Sequence, residues 1–174
     1  MIKKIVSLLL CAAVLVLAGC GTQRNTTTEG DPPADLVADT WLDMDDVMLA
    51  SVDLDGLLAD GLPLILYFGD DSQASIDTLD MLLSLHEELR PDALLRVVDL
   101  SLYPDAKEGF PVQTIPTQFF YDADGKPIPL PINIGVILSS FISVDTEEPI
   151  FTAHEGPLTR DEYTNILRIM GLVS

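Results

Sequence analysis

The chain has 174 residues, with 28 acidic side chains against 9 basic ones and a formal net charge of −19. That size suits one domain, and the charge excludes a nucleic-acid partner, because phosphate backbones are held by clustered Lys and Arg. Hydrophobic residues make up 48% of the chain, which excludes a disordered polymer, since that much apolar surface can be buried in a core.

Lys3 and Lys4 precede a run from Ile5 to Ala18 that is apolar apart from Ser7, followed by Gly19 and Cys20. A basic start and a short apolar stretch at the terminus form the export pattern. Leu17, Ala18, Gly19 and Cys20 resemble the lipobox of bacterial lipoproteins. The resemblance implies a leader over 1–19, cleavage before Cys20, and acylation of its sulfur. Cys11 would leave with the leader and no free thiol would remain. A retained anchor helix or a plain secretory signal are the alternatives, and all three put the domain outside the cytoplasm. The expected location is the cell envelope, with the bacterial membrane as a partner through the lipid on Cys20. Residues 20–35 are polar and without hydrophobic period, as a tether is. No Lys or Arg occurs between Arg24 and Arg90, so an anionic field covers the amino-terminal half and lipid, not charge, holds the protein to anionic headgroups.

The expected domain runs over 36–174. Trp41, the single tryptophan, is expected to pack an amino-terminal extension onto it. Asp53 to Asp60 has helical spacing. Leu64 to Phe68 is a continuous apolar run, as in a strand buried on both faces. Ser75 to Leu89 repeats apolar residues at three and four, a widely buried helix carrying His86. Leu94 to Leu100 reads as a second buried strand and 117–121 as a third, followed by a hairpin turn over Asp122, Ala123, Asp124 and Gly125. Ile134 to Val144 reads as an added strand paired with Ile150 to His154, within an insertion at about 127–149. Its apolar edge is either covered by the extension or offered to a partner. The last helix has Thr159 as N-cap, Glu162 three residues on, a stripe of Tyr163, Ile166, Leu167 and Met170, and Gly171 as its stop.

Strand, helix, strand, hairpin and helix make an α/β domain with a mixed sheet, and at several points it resembles the thioredoxin family. Gly61 and Pro63 are similar to that family's approach to its central strand, Val97 to Asp99 to its next parallel strand, and Asp124, Gly125 and Lys126 to its hairpin turn. Val112, Gln113, Thr114, Ile115, Pro116 and Thr117 match its "V…IPT" segment. The resemblance covers about 53–172 and implies a thioredoxin-like mixed sheet flanked by helices, a cis bond before Pro116, and a peptide groove with Ile115, Pro116 and Thr117 on one wall.

In that family a Cys-x-x-Cys pair lies at the start of the helix after the central strand, where the helix terminus stabilises a thiolate. Here the segment reads Ser72, Gln73, Ala74, Ser75, so Ser-x-x-Ser stands in its place; a gapless count from Phe68 instead puts Gln73 and Ile76 there. Neither register supplies sulfur, and a serine hydroxyl cannot perform thiol–disulfide exchange. Helix capping accounts for Ser72 and Asp71 without any chemistry. No cofactor and no metal is expected, because Asp43, Asp45, Asp46, Asp53, Asp55, Asp122 and Asp124 lack the glycine and distal glutamate of a calcium loop. The reading is a membrane-tethered, redox-inactive binding or assembly module with a protein or peptide partner. The alternatives are an envelope oxidoreductase relying on partner thiols, or a serine hydrolase using Ser72, with His86 and His154 the sole histidines from which a base could come.

Overall fold

The computed structural model describes residues 44–131 and 134–174. The leader, Cys20, the tether, Asp43 and Trp41 lie outside the described residues. Short helices α1 (Met44–Val47) and α2 (Leu54–Leu58) lead to strand β1 (Leu64–Gly69), helix α3 (Gln73–Leu89) and strand β2 (Leu94–Asp99). After a 3-10 turn at Pro104–Lys107 come β3 (Thr117–Tyr121), β4 (Ser139–Ile142), β5 (Pro149–Glu155) and α4 (Arg160–Ile169).

The strands form one sheet in the order β2-β1-β3-β5-β4. β1 pairs parallel with β2 and antiparallel with β3, and β5 pairs antiparallel with β3 and β4. A parallel strand–helix–strand unit joined to antiparallel strands and a closing helix is the thioredoxin-like α/β fold implied by the Gly61–Pro63 and Ile115–Thr117 segments.

β1 is buried along its whole length because it is covered on both faces. On one face Ile65 and Tyr67 join Leu82 and Leu85 of α3 and Tyr163, Ile166 and Leu167 of α4. On the other, Leu64, Leu66 and Phe68 meet Leu54 and Leu57 of α2, with Phe110, Val112 and Ile115. The Phe110 ring stands 5.1 Å from Phe68 and 5.4 Å from each of Phe119 and Phe151, within the range of favourable aromatic pairing.

Several elements differ from their expected form. α3 begins two residues before Ser75 because Ser72 caps it. α2 is limited to five residues, capped by Asp53, which accepts from the Gly56 N–H at 3.1 Å. β2 ends at Asp99 and leaves Leu94, Arg96 and Asp99 half-buried, since no full strand lies beyond it. That edge is met by the amino-terminal segment: Met48 bridges Val97 in parallel and the Leu49 N–H donates to the Val97 carbonyl at 2.7 Å. Among the described residues the extension therefore covers β2, not the added strand.

The turn after β3 forms as expected. Asp122 Oδ1 accepts from the N–H groups of Asp124 and Lys126, and Gly125 takes a φ of 74° that favours glycine. The return, however, is a single bridge from Tyr121 to Pro127, because Pro127, Pro129 and Pro131 offer no N–H to a ladder. The added strand is confined to Ser139–Ile142, shorter than the expected 134–144. Gly135, at a φ of 77°, interrupts extended backbone, and Ile134, Val136 and Leu138 pack against the core instead. Ile128 is buried, the Thr152 hydroxyl donates to its carbonyl at 2.7 Å, and Asn165 Nδ2 donates to the Ile134 carbonyl at 3.0 Å.

α4 matches its reading closely. Thr159 and Glu162 form a complete capping box, the stripe is buried, and Gly171 follows at a φ of 77°. A cis peptide joins Ile115 to Pro116, as the resemblance implies, and a second, not read from the sequence, joins Arg90 to Pro91.

Candidate functional site

The Ser72–Ser75 segment lies at the strand-to-helix junction between β1 and α3. Asp70 organises it. Its Oδ1 accepts from the Ser72 N–H at 3.1 Å, the Ser72 hydroxyl at 2.5 Å and the Ser75 hydroxyl at 2.6 Å. The two hydroxyls are 3.1 Å apart, and Ser72 Oγ caps the helix by accepting from the Ser75 N–H at 3.4 Å. These donors hold the Asp70 carboxyl below its ordinary range, the Ser72 hydroxyl being the largest cause and Ser75 the next. Stabilisation of the charged form by donated hydrogen bonds is the physical reason.

Ser72 is half-buried and Ser75 buried, while Gln73 and Ala74 face solvent. Gln73 Nε2 donates to Asp77 Oδ1 at 2.6 Å along the exposed face of α3, and Ile76 is 43% exposed. Beneath them Tyr67 donates its hydroxyl to the Ser75 carbonyl at 2.7 Å. Gly69 makes that reach possible, because a Cβ built there would lie 2.5 Å from the Tyr67 ring. Burial pushes the Tyr67 phenol up to about 12, opposed by the bond to Ser75 and reinforced by the charges of Asp70 and Asp99.

The chemistry follows from the partners. A hydrolytic serine needs a base that can accept its proton, whereas Ser72 faces a carboxylate already stabilised as the ion. Neither imidazole meets it among the described contacts: Arg90 Nε donates to His86 Nε2 at 3.0 Å near the end of α3, and His154 Nδ1 is 2.9 Å from the Ile137 carbonyl. Among the described contacts the cluster fixes the helix start.

The Ile115–Thr117 segment reaches the same end of the sheet, since Thr117 pairs with Phe68 across β3 and β1. Pro116 and Thr117 are buried and Ile115 half-buried against the Phe68 cluster. Gly156 anchors the loop, its N–H donating to the Pro116 carbonyl at 2.7 Å and its carbonyl accepting from Gln118 Nε2 at 3.2 Å. The Thr117 hydroxyl closes the turn on the Thr114 carbonyl.

A walled cleft of about 290 Å³ opens beside Ser75, but on the β2 side of α3. Met44, Met48, Ile76, Leu79 and Val97 supply apolar walls, and Asp70, Asp71 and Asp99 supply carboxyl groups; Ile115, Pro116 and Thr117 do not line it. The sequence reading did not single out Tyr67, Asp70 or Asp99. The signal available for Asp70 was its position two residues before an N-cap serine, where a carboxylate can meet the first-turn donors.

No protein-family model matches the chain, and neither does any curated protein. Among solved structures, chloroplastic thioredoxin z is similar at 17% identity, with 72% of this chain and 90% of that chain covered and a TM-score of 0.47. Thioredoxin of Fasciola hepatica is similar at 18% identity, with 72% and 98% covered and a TM-score of 0.49.

Proposed function

We propose that this chain is a lipid-tethered, extracytoplasmic thioredoxin-like protein that binds an extended peptide or protein segment without disulfide chemistry. The observation that carries the reading is the Asp70–Ser72–Ser75 cluster at the start of α3, together with a sequence whose two cysteines, Cys11 and Cys20, both precede the domain. Exchange requires a thiolate as nucleophile, and this junction offers two hydroxyls committed to a carboxylate. A loop at the end of a sheet can still align an extended chain by main-chain hydrogen bonds when the chemistry is lost. Ile115, Pro116 and Thr117 form one wall of that groove and Ser72, Gln73, Ala74 and Ser75 the other. Cys20, acylated, keeps the domain at a bacterial membrane in the cell envelope.

Catalytic assays separate this reading from an enzyme. The full chain, assayed for insulin disulfide reduction with added glutathione and for ester hydrolysis, is expected to give background rates in both. Reduction above background with glutathione would establish an enzyme working with partner thiols, and hydrolysis abolished by Ser72→Ala would establish a serine hydrolase. Fatty-acid labelling in a bacterial host is expected to mark the protein and to vanish with Cys20→Ser; an unlabelled, soluble product would contradict the tether.

A further inference from the structure

The cleft on the β2 side of α3 shares Ser75 with the groove proposed around Pro116 but is not lined by Ile115, Pro116 or Thr117. Its walls are aliphatic and thioether side chains, Met44, Met48, Ile76, Leu79 and Val97, and its polar groups include Asp70, Asp71 and Asp99 but no Lys, Arg or His. The acid-bearing segments are held side by side through one residue. The Ser101 hydroxyl accepts from the Asp71 N–H at 3.0 Å, and the Ser101 N–H donates to Asp99 Oδ1 at 2.8 Å. No Lys or Arg occurs in the sequence from 25 to 89, so neither α1 nor α3 carries one that could neutralise these carboxylates. The field reaches Tyr67 on the cleft wall, where the charges of Asp70 and Asp99 add to burial in raising the phenol.

A cleft with aliphatic and thioether walls and three acidic residues in its lining complements one common kind of side chain: an aliphatic stem ending in a cation, which buries its methylenes and keeps its head among charges. We infer that this cleft receives a lysine or arginine side chain presented by a basic segment of a protein partner. The stem lies against Met48, Ile76 and Leu79, and the cation sits among Asp70, Asp71 and Asp99. The chain's own upstream segment is a poorer occupant. Residues 35–43 bring Leu36, Trp41 and Leu42 but also Asp35, Asp39 and Asp43, and like charges disfavour that juxtaposition.

The test uses the full chain in nanodiscs of zwitterionic lipid, with the methyl resonances of Met48, Ile76 and Leu79 as reporters and n-butylammonium, n-butanol, butanoate and N-acetyl-Gly-Lys-Gly-amide as probes. Saturable shifts are expected with butylammonium and with the lysine peptide, with n-butanol weaker by roughly fivefold, the scale of one exposed ion pair, and none with butanoate. The double variant Asp71→Asn, Asp99→Asn is expected to weaken butylammonium by a similar factor and leave n-butanol unchanged; both residues sit on the cleft rim, and asparagine keeps an acceptor for Ser101. Equal binding of butanol and butylammonium would overturn the inference, as would indifference to the Asn pair. Binding of the free amine without the peptide would also overturn it. Shifts that appear only after Trp41→Ala would show that the chain's own segment occupies the cleft and would overturn it too.

Discussion

At the scale of single residues, the junction after β1 turns on one oxygen, Asp70 Oδ1, which serves three donors. Replacing Asp70 with Ala removes the acceptor for both hydroxyls and is expected to cost about 1 kcal/mol, at the low end for bonds to a charged group because the site is half-exposed. Urea midpoints measure it. The folded carboxyl titrates below its unfolded value, so its contribution is present above about pH 4 and fades as pH falls through the folded value. Asp70→Ala is expected to flatten that part of the acid limb. Tyr67 works in the opposite direction. Its phenol is raised to about 12, so the stability of its neutral form is intact below about pH 10 and is lost as pH climbs through the folded value. Stability profiles of the wild type and Tyr67→Phe should converge on that alkaline limb. Gly69→Ala is expected to cost about 1–3 kcal/mol, as overpacking does, because its Cβ would fall on the Tyr67 ring.

At the scale of elements, what was legible in the sequence followed from local chemistry. α4 carries its own punctuation in Thr159, Glu162 and Gly171, so cap, stripe and stop could be read without neighbours. β1 could be read because burial on both faces leaves a run of apolar residues with no alternation. Less legible were features decided by distant partners. The start of α3 depended on Asp70 and Ser75 closing around Ser72, and the cleft depended on Ser101 and Met48 meeting β1 and β2 across the fold. The insertion shows the same limit: its apolar content suggested a long strand, but Gly135, the prolines and the bonds from Asn165 and Thr152 go with a short strand, and only Ile128, Ile134, Val136 and Leu138 pack onto the core. Ile128→Ala is therefore expected to cost about 2–4 kcal/mol, as a buried large-to-small change does, since Ile128 is 2% exposed. Val144→Ser, at 95% exposure, is expected to stay within about 0.5 kcal/mol. Thermal or urea unfolding of the two variants checks the division between the packed and open parts of the insertion.

At the scale of the whole molecule, the net charge of −19 and the thioredoxin-like sheet point in one direction. On the proposed lipid tether, an anionic domain would be repelled from anionic headgroups, which would leave its ends free to meet other proteins. The sheet brings the Ile115–Thr117 loop and the start of α3 to a common end, and the acidic cleft lies beside that end on the β2 side. The central claim is that this end binds an extended segment and does not exchange disulfides. It is tested most directly by photo-crosslinking in the native envelope from Gln113, which is exposed and precedes the loop, with exposed Glu87 near the far end of α3 as the control. A discrete adduct from position 113 that is insensitive to reductant, and none from position 87, is the expected result. No adduct from position 113, or one that disappears on reduction, would contradict it.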